Sequence, residues 1–473
     1  MSNYVAFFLL ILQFSVCSAG MSKKDVLEYA FRHSEDLLVI KNEMAAAQSM
    51  EKEYRGKGLP TVEASVNYQH APKQFMPYSF DMEGSSTSIS SLLDPSQPGF
   101  MNDATIAGAL DQIVGSFSNI DLTPPKNTVA MELSVTQPIF AQGKISKGLK
   151  IASVYHTSLD LKYRNAQFSL AKDIVNAYNG AVLADQNRKV QQEAVALAEE
   201  THRLTKARLE SGKGNVLDTL NSRFSLQQAK FALRDAEKNR HMAIKNMLTL
   251  ASMEVNPDVV ELSDSLKIIA FELTEDDARR RMLEENTTLQ QIDKGIEMQR
   301  LQVKIAKSDF LPIVYAGASV SKITMFDGGD TPEWGDDQKV YFGTSIPIFS
   351  GGQKFQKVKQ ASLEELKLTE TRSKTVNQLL LALTNFYEEL AVAKEEYAEA
   401  KDLVTLTSQG AKIASLSYEI GQITQLDLTN SKQQLSLSQL AYNSAVYKLN
   451  TAIVGIEMLL GDEMLLSTEM EDR

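Results

Sequence analysis

A pattern in this chain occurs twice, 209 positions apart. Leu209-Glu210-Ser211-Gly212-Lys213-Gly214-Asn215-Val216-Leu217-Asp218 is answered by Tyr418-Glu419-Ile420-Gly421-Gln422-Ile423-Thr424-Gln425-Leu426-Asp427. Gly212 matches Gly421, Leu217 matches Leu426 and Asp218 matches Asp427. The register continues through Asn221 and Asn430, Ser222 and Ser431, Leu226 and Leu435. A repeat of this length means one architectural unit built twice, so whatever one half folds into constrains the other.

The segment after the second copy shows what the unit contains. Leu428, Leu435, Tyr442, Leu449 and Ile456 recur every seven residues, and Ser431, Ser438, Ala445, Ala452 and Leu459 run between them. Alternating steps of three and four make a coiled-coil seam. The first copy keeps the second series as Ser222, Ala229, Ala236, Ala243 and Leu250, mostly small residues that let neighbouring helices approach closely. An ordinary buried bundle face has the same spacing; the duplication favours the seam.

Residues 1–19 carry the apolar run Val5–Phe14 followed by Cys17-Ser18-Ala19, too short to span a bilayer and ending in small residues. This reads as a secretory signal cut after Ala19. The only cysteine, Cys17, falls inside it; lipidation there is the alternative, although Val16 before it is bulky for that. A chain cut after Ala19 has no thiol and forms no disulfide. With 49 Lys and Arg against 60 Asp and Glu, the formal charge is −11. So acidic a chain without a basic stripe argues against nucleic acid as a partner.

Lys23–Lys57 has a helical pattern, stopped by Gly56, Gly58 and Pro60. From Pro60 to Gln69 the period changes to two: Val62, Ala64, Val66 and Tyr68 alternate with polar residues. That is a strand with one apolar face. A second strand, Val129–Thr136, is ended by Gln137-Pro138-Ile139-Phe140, and Gly143 precedes a helix. The second half repeats this: Pro312 answers Pro60, Val314 to Ser321 alternate, Val340, Phe342 and Ile346 mark a fourth strand, and Pro347-Ile348-Phe349 with Gly352 follow. The first inter-strand loop, about His70 to Thr128, is 43 residues longer than the second. It is rich in Pro and Ser, with Ala104–Phe117 as a possible short helix; so long a loop is functional or disordered. The second loop covers Lys322–Gln338, with Asp327-Gly328-Gly329-Asp330 as turn chemistry.

The expected divisions are a signal peptide at 1–19, a first repeat at 20–258, a second at 259–461 and an acidic tail at 462–473. Neither Ile145–Met253 nor the chain after Gln353 contains proline. A helix of about 50 residues reaches roughly 75 Å, so such helices must pack along one another in a tube or rod. Four strands of about nine residues have the length that crosses an outer membrane at a tilt. A lipid-exposed sheet tolerates no open edge, so closure needs several chains, and three would supply twelve strands. A soluble sheet buried on one face is the alternative.

Taken together, these motifs resemble the TolC-like outer-membrane efflux proteins over essentially the whole mature chain. The carriers are Gln137-Pro138-Ile139-Phe140 with Gly143, Ile346-Pro347-Ile348-Phe349 with Gly351-Gly352, Tyr418 and Gly421 with Leu426-Asp427, and the partner segment Gly212–Asp218. The resemblance implies an α plus membrane β-barrel fold: a homotrimer with a 12-stranded barrel in the outer membrane of a Gram-negative bacterium and an α-helical tunnel through the periplasm. It also implies a channel that passively exports what an inner-membrane transporter delivers through a periplasmic adaptor, in an efflux or type I secretion system. By the same resemblance, Asp427 falls on a ring of aspartates that narrows the pore, and a second family aspartate is Asn430 here. Tyr418 and Asp218 fall on a contact that holds the closed state, and a family arginine is replaced by Ile423.

On physical grounds, three carboxylates at a constriction favour cations. The plainer reading of Asp427 is a helix cap or solvated residue, and of Tyr418 it is seam packing. No catalysis and no cofactor are expected: His33, His70, His156, His202 and His241 have no metal spacing, and no phosphate-binding loop occurs. A periplasmic coiled-coil adaptor or structural protein is the rival class; an adaptor has one helical hairpin followed by small β-domains.

Overall fold

The computed structural model describes residues 20–71, 106, 108–113, 126–327 and 333–461. The expected signal peptide, the acidic tail and most of the long loop lie outside the described residues; 108–113 are helical. In order, the elements are α1 (Lys23–His33), α2 (Glu35–Gly56), β1 (Thr61–His70), β2 (Asn127–Ala141), α3 (Lys144–Glu210) and α4 (Val216–Leu250). Then follow α5 (Glu275–Glu285), α6 (Thr287–Ser308), β3 (Ile313–Phe326), β4 (Trp334–Ser345), α7 (Gln353–Glu419) and α8 (Gln425–Leu460).

The repeat holds to the residue: α3 and α7 both run for 67 residues and start 209 positions apart. At about 1.5 Å per residue, each is about 100 Å long. The segment before the strands repeats at a different offset, 252, which relates α1 to α5 and α2 to α6. The single helix expected over Lys23–Lys57 is therefore two. Ser34 breaks it with φ −59° and ψ 121°, and Asn286, 252 positions on, breaks the second copy with φ −59° and ψ 119°. Neither break involves glycine or proline. Instead the Asn286 side chain donates to the Leu459 carbonyl at 2.9 Å and accepts from the Leu289 amide at 3.1 Å.

The chain folds as two compact units that cut across the repeats, each taking part of both. The helical unit has two matching cores. Val26, Ala30, Ile174, Tyr178, Ile244 and Met247 build one; Ala278, Met282, Leu383, Tyr387, Ile453 and Ile456 build the other. The first two members of each set are related by 252 and the rest by 209. The Tyr178 hydroxyl donates to the Met21 carbonyl and the Tyr387 hydroxyl to the Leu273 carbonyl, each at 2.9 Å. Burial pushes the Tyr387 phenol up to about 12.

The heptad seam on α8 is largely buried, through Leu428, Ser438, Ala445, Leu449, Ala452, Ile456 and Leu459. Two helical hairpins result. In the first, Lys230 of α4 pairs with Glu199 of α3 at 2.8 Å. In the second, Thr407 of α7 meets Ser438 of α8 at 2.7 Å and Glu396 meets Lys448 at 2.8 Å. Between them, α3 packs on α8 through Asn443 to Asn187 and Lys432 to Thr201, both at 3.0 Å.

Among the described residues the β unit is one antiparallel sheet of order β1-β2-β3-β4, whose outer strands β1 and β4 are each paired on one side only. Register lines up the apolar positions across all four strands: Val62, Val135, Ala318 and Val340 share one row, and Tyr68, Val129, Thr324 and Trp334 another. Val62, Val66, Tyr68, Leu133, Val340, Phe342 and Trp334 are exposed on that face. The opposite face carries Glu63, Ser134, Ser319 and Lys339 in one row. There Tyr341 lies over Gly317 and Tyr315 over Gly343, where a Cβ would collide with the rings.

Three expectations for the strands are corrected. Pro138-Ile139-Phe140 does not end β2, which runs on to Ala141 with a register shift between Pro138 and Phe140. β1 pairing stops at Thr136, so this stretch is an edge with a bulge, where a missing N–H is tolerated. Ile346 lies just past β4. Lys322–Phe326 and Trp334–Gln338 belong to strands rather than to a loop, because Lys322 pairs with Asp336 and Ser321 with Asp337 across the ladder.

The strand-to-helix turns are duplicated too: Gln142 and Gly143 have φ of 58° and 67°, and Gly351 and Gly352 have 60° and 78°. Left-handed backbone favours glycine. Gln142 is held there by its side-chain amide, which donates to the Leu311 carbonyl. Pro60 and Pro312 directly precede β1 and β3, and Pro347 follows β4 in extended chain.

Candidate functional site

The segment that opened the sequence analysis forms the turns of the two hairpins. The α7 helix ends at Glu419. Gly421 then takes φ +81°, its N–H donating to the Tyr418 carbonyl at 3.1 Å while the Gln422 N–H reaches the Ser417 carbonyl at 2.9 Å. Gly212 does the same at φ +72°, with Gly212 N–H to Leu209 at 3.0 Å and Lys213 N–H to Arg208 at 2.9 Å. This left-handed stop satisfies carbonyls that a helix end leaves open. The glycines therefore terminate one helix and start a reversal; they do not bend a continuous one.

Thr424 then caps α8 and Asp427 completes a capping box. The Asp427 N–H donates to Thr424 Oγ1 at 3.2 Å, and Asp427 Oδ2 accepts from the Thr424 N–H at 3.0 Å and its hydroxyl at 2.6 Å. These bonds, the side-chain one foremost, hold the exposed Asp427 carboxyl below the usual carboxylate range. Asp218 occupies the same place in α4, whose cap is Asn215 accepting from the Leu217 N–H at 3.0 Å. Asn430 is exposed one turn into α8.

Tyr418 is buried, and its hydroxyl meets Thr205 Oγ1 at 3.3 Å. The partner implied by the resemblance was Asp218; in this chain the hydroxyl points to α3 and is taken by Thr205. A residue that the sequence reading missed completes the tip. Arg208, near the end of α3, lays its guanidinium 4.5 Å from the Tyr418 ring centre. Its Nη2 donates to the Tyr418 carbonyl at 2.8 Å and the Glu419 carbonyl at 3.1 Å. A cation at the C-terminus of α7 is favoured by the helix dipole, and over an aromatic face by the ring quadrupole. Arg208 thus joins the two hairpins at their tips, while Ile423 contributes no charge. Its partners are backbone carbonyls, which no side-chain pattern announces.

Behind the tips, a groove of about 260 Å³ runs between α3, α4 and α8, lined by Leu197, Thr201, Ser222, Lys432, Gln433 and Leu440 among others. Burial lowers the Lys432 ammonium's pKa from its ordinary value. Among the described residues no group of three or more His, Cys, Asp or Glu could hold a metal, and no helix is long and apolar enough to cross a membrane.

Comparison with known proteins agrees with this architecture. The family model for outer membrane efflux proteins matches residues 117–251 and 278–462. The alkaline protease secretion protein AprF of Pseudomonas aeruginosa is 24% identical over 334 residues, covering 70% of this chain and 69% of that protein. The fold is similar to the outer membrane channel CmeC of Campylobacter jejuni, with TM-score 0.67 and 18% identity over 93% of this chain and 85% of that one. It is similar also to the outer membrane protein VceC of Vibrio cholerae, with TM-score 0.68 and 15% identity over 93% of this chain and 96% of that one.

Proposed function

Because the chain belongs to the outer membrane efflux protein family, and so is an outer-membrane channel rather than an enzyme, we propose that three copies close one conduit through the outer membrane and into the periplasm. A periplasmic adaptor and an inner-membrane transporter complete the export path, and the channel itself is passive. The observation that carries this reading is the sheet. Among the described residues both its edges are unpaired, and one face is mainly apolar, interrupted by Gln338 and by the Lys322–Asp336 pair. In lipid, open edges are excluded, and β1 of one copy pairing with β4 of the next removes both.

The dimensions agree. Trp334 and Phe342 stand eight residues apart on one face of β4, with Asp336, Gln338 and Val340 between them. At about 3.4 Å per residue and a tilt near 40°, that is roughly 20 Å of height, against an apolar band of about 25 Å. An adaptor, with one hairpin and several small β-domains, does not have this arrangement of two hairpins and one sheet.

At the tips, Asp427 lines the narrowest part of the conduit, with Asn430 one turn behind it, and the contacts of Tyr418 hold the closed state. Asp218 is the carboxylate at the equivalent tip of the first hairpin. The test is purification in detergent followed by native mass and planar-bilayer recording. A mass of three chains and discrete ion-conducting steps are expected; a monomer without conductance overturns the proposal.

A further inference from the structure

We infer that α4 of one copy packs against α7 of the next in the register that α8 and α3 use inside one chain, with Arg234 against Glu396 and Lys238 against Glu389. The inference rests on the trimer proposed above and gives it an interface.

Within the helical unit the packing order is α4, α3, α8, α7, so α4 and α7 are the flanking helices. A shift of 209 positions carries α3 onto α7 and α4 onto α8. The same operation applied to the α8–α3 seam therefore yields an α4–α7 seam. Its two members flank opposite sides of one chain, so a second copy must supply one of them.

Transposing the seam contact by contact names the residues. Asn443, bonded to Asn187 at 3.0 Å, becomes Arg234 facing Glu396. Tyr447, whose ring lies 3.8 Å from where a Cβ on Gly180 would stand, becomes Lys238 facing Glu389. Lys432, bonded to Thr201, becomes Arg223 facing Gly410, which leaves room for the longer side chain. The seam inside the chain is made by amides, a tyrosine and a lysine on a hydroxyl, with no acidic side chain among these contacts. Its transposed counterpart twice sets a basic residue against an acidic one, which the alignment does not require. Such flanking ion pairs set partner choice and register in coiled coils. Glu396 already accepts Lys448 of its own chain at 2.8 Å and would sit between two cations.

The apolar positions agree. Leu197, Gln433 and Leu440 line the groove behind the tips, and their counterparts are Leu406, Phe224 and Phe231, all exposed in one chain. Leu406, Phe224 and Phe231 belong to two ridges of step seven that begin at the tips: Leu217, Phe224 and Phe231 on α4, and Ile413 and Leu406 on α7 with Ile420 just past its end. Laid antiparallel in the register of Arg234 and Glu396, Leu217 meets Ile413 and Phe224 meets Leu406.

The test uses the full-length chain, whose one cysteine is Cys17. Arg234→Cys and Glu396→Cys are made singly and together and treated in membranes with a short bifunctional thiol reagent. A ladder of linked dimers and trimers is expected from the double variant alone. A protein that keeps a native mass of three chains yet gives no ladder overturns the register and leaves the trimer standing. A single-chain native mass for the unmodified protein overturns the trimer itself. Independently, Lys238→Glu should lose trimer band on mildly denaturing gels, and adding Glu389→Lys should restore it; no restoration refutes the ion pair.

Discussion

Arg208→Ala should loosen the hairpin tips, and the structure sets the size of the effect. The variant removes two bonds from one nitrogen to the Tyr418 and Glu419 carbonyls, and the stacking on the Tyr418 ring. The site borders solvent and Nη2 is shared, so the bonds together contribute about 1.5 kcal/mol, the low end for charge-assisted pairs. Cation–π stacking adds about 0.5 kcal/mol at such a site. A total near 2 kcal/mol is a shift of about 30-fold in the local opening equilibrium. The amides of Gly421 and Gln422, which close the turn onto Tyr418 and Ser417, report it directly. Their hydrogen exchange should accelerate by about that factor in the variant, and leak conductance in bilayers should rise. Arg208→Lys should recover only part, since an ammonium lacks the planar face that stacks. Unchanged exchange at both amides in Arg208→Ala, or full rescue by lysine, would refute the reasoning.

Tyr418→Phe removes only the long bond to Thr205 and should cost about 0.5–1 kcal/mol, a smaller leak than that of Arg208→Ala in the same recordings. Asp427→Ala should weaken cation selectivity and block by multivalent cations; unaltered reversal potentials would move the constriction elsewhere, with Asp218 next to test. The folded Asp427 carboxyl titrates below its ordinary value near 4, so its contribution to the α8 cap is complete above that value and is lost as pH falls through the folded one. Pepsin should accordingly cut the 420–426 turn more readily at the acid end of its range, and Asp427→Asn should flatten the dependence. Ala71→Cys, at the far end of β1, should react with a membrane-impermeant maleimide on intact cells; reaction only after the outer membrane is broken would invert the topology.

Much of this architecture was written in periodicities. Val62 to Tyr68 and Val314 to Ser321 alternate because each strand has one apolar face, and the 209-position match fixes the order of the helices. The break at Ser34 and Asn286 was not legible, because neither residue is a glycine or proline and the second break is held by tertiary bonds such as Asn286 to Leu459. The loop expected over Lys322–Gln338, with Asp327-Gly328-Gly329-Asp330 as its turn, was drawn too wide. Lys322 and Asp336 look like loop residues until the ladder pairs them. At the tip, Gly421 announced its left-handed backbone, whereas Arg208 was hidden among the charges of a solvated helix. Tyr418 looked the same whether its partner was Asp218 or Thr205, a choice made by packing between distant helices.

Arg208 has no twin. The matching position in the second repeat is Ser417, and Leu209 stands where Tyr418 would be needed. The proposed ring of three chains has two kinds of joint between neighbouring hairpins, and only the joint inside each chain carries the arginine clasp. In the proposed trimer the tips would form three pairs of hairpins, each pair clasped by Arg208 and joined to the next without it. A pull on the tips of that ring is then expected to part it at every second joint, where the equivalent of Arg208 is Ser417.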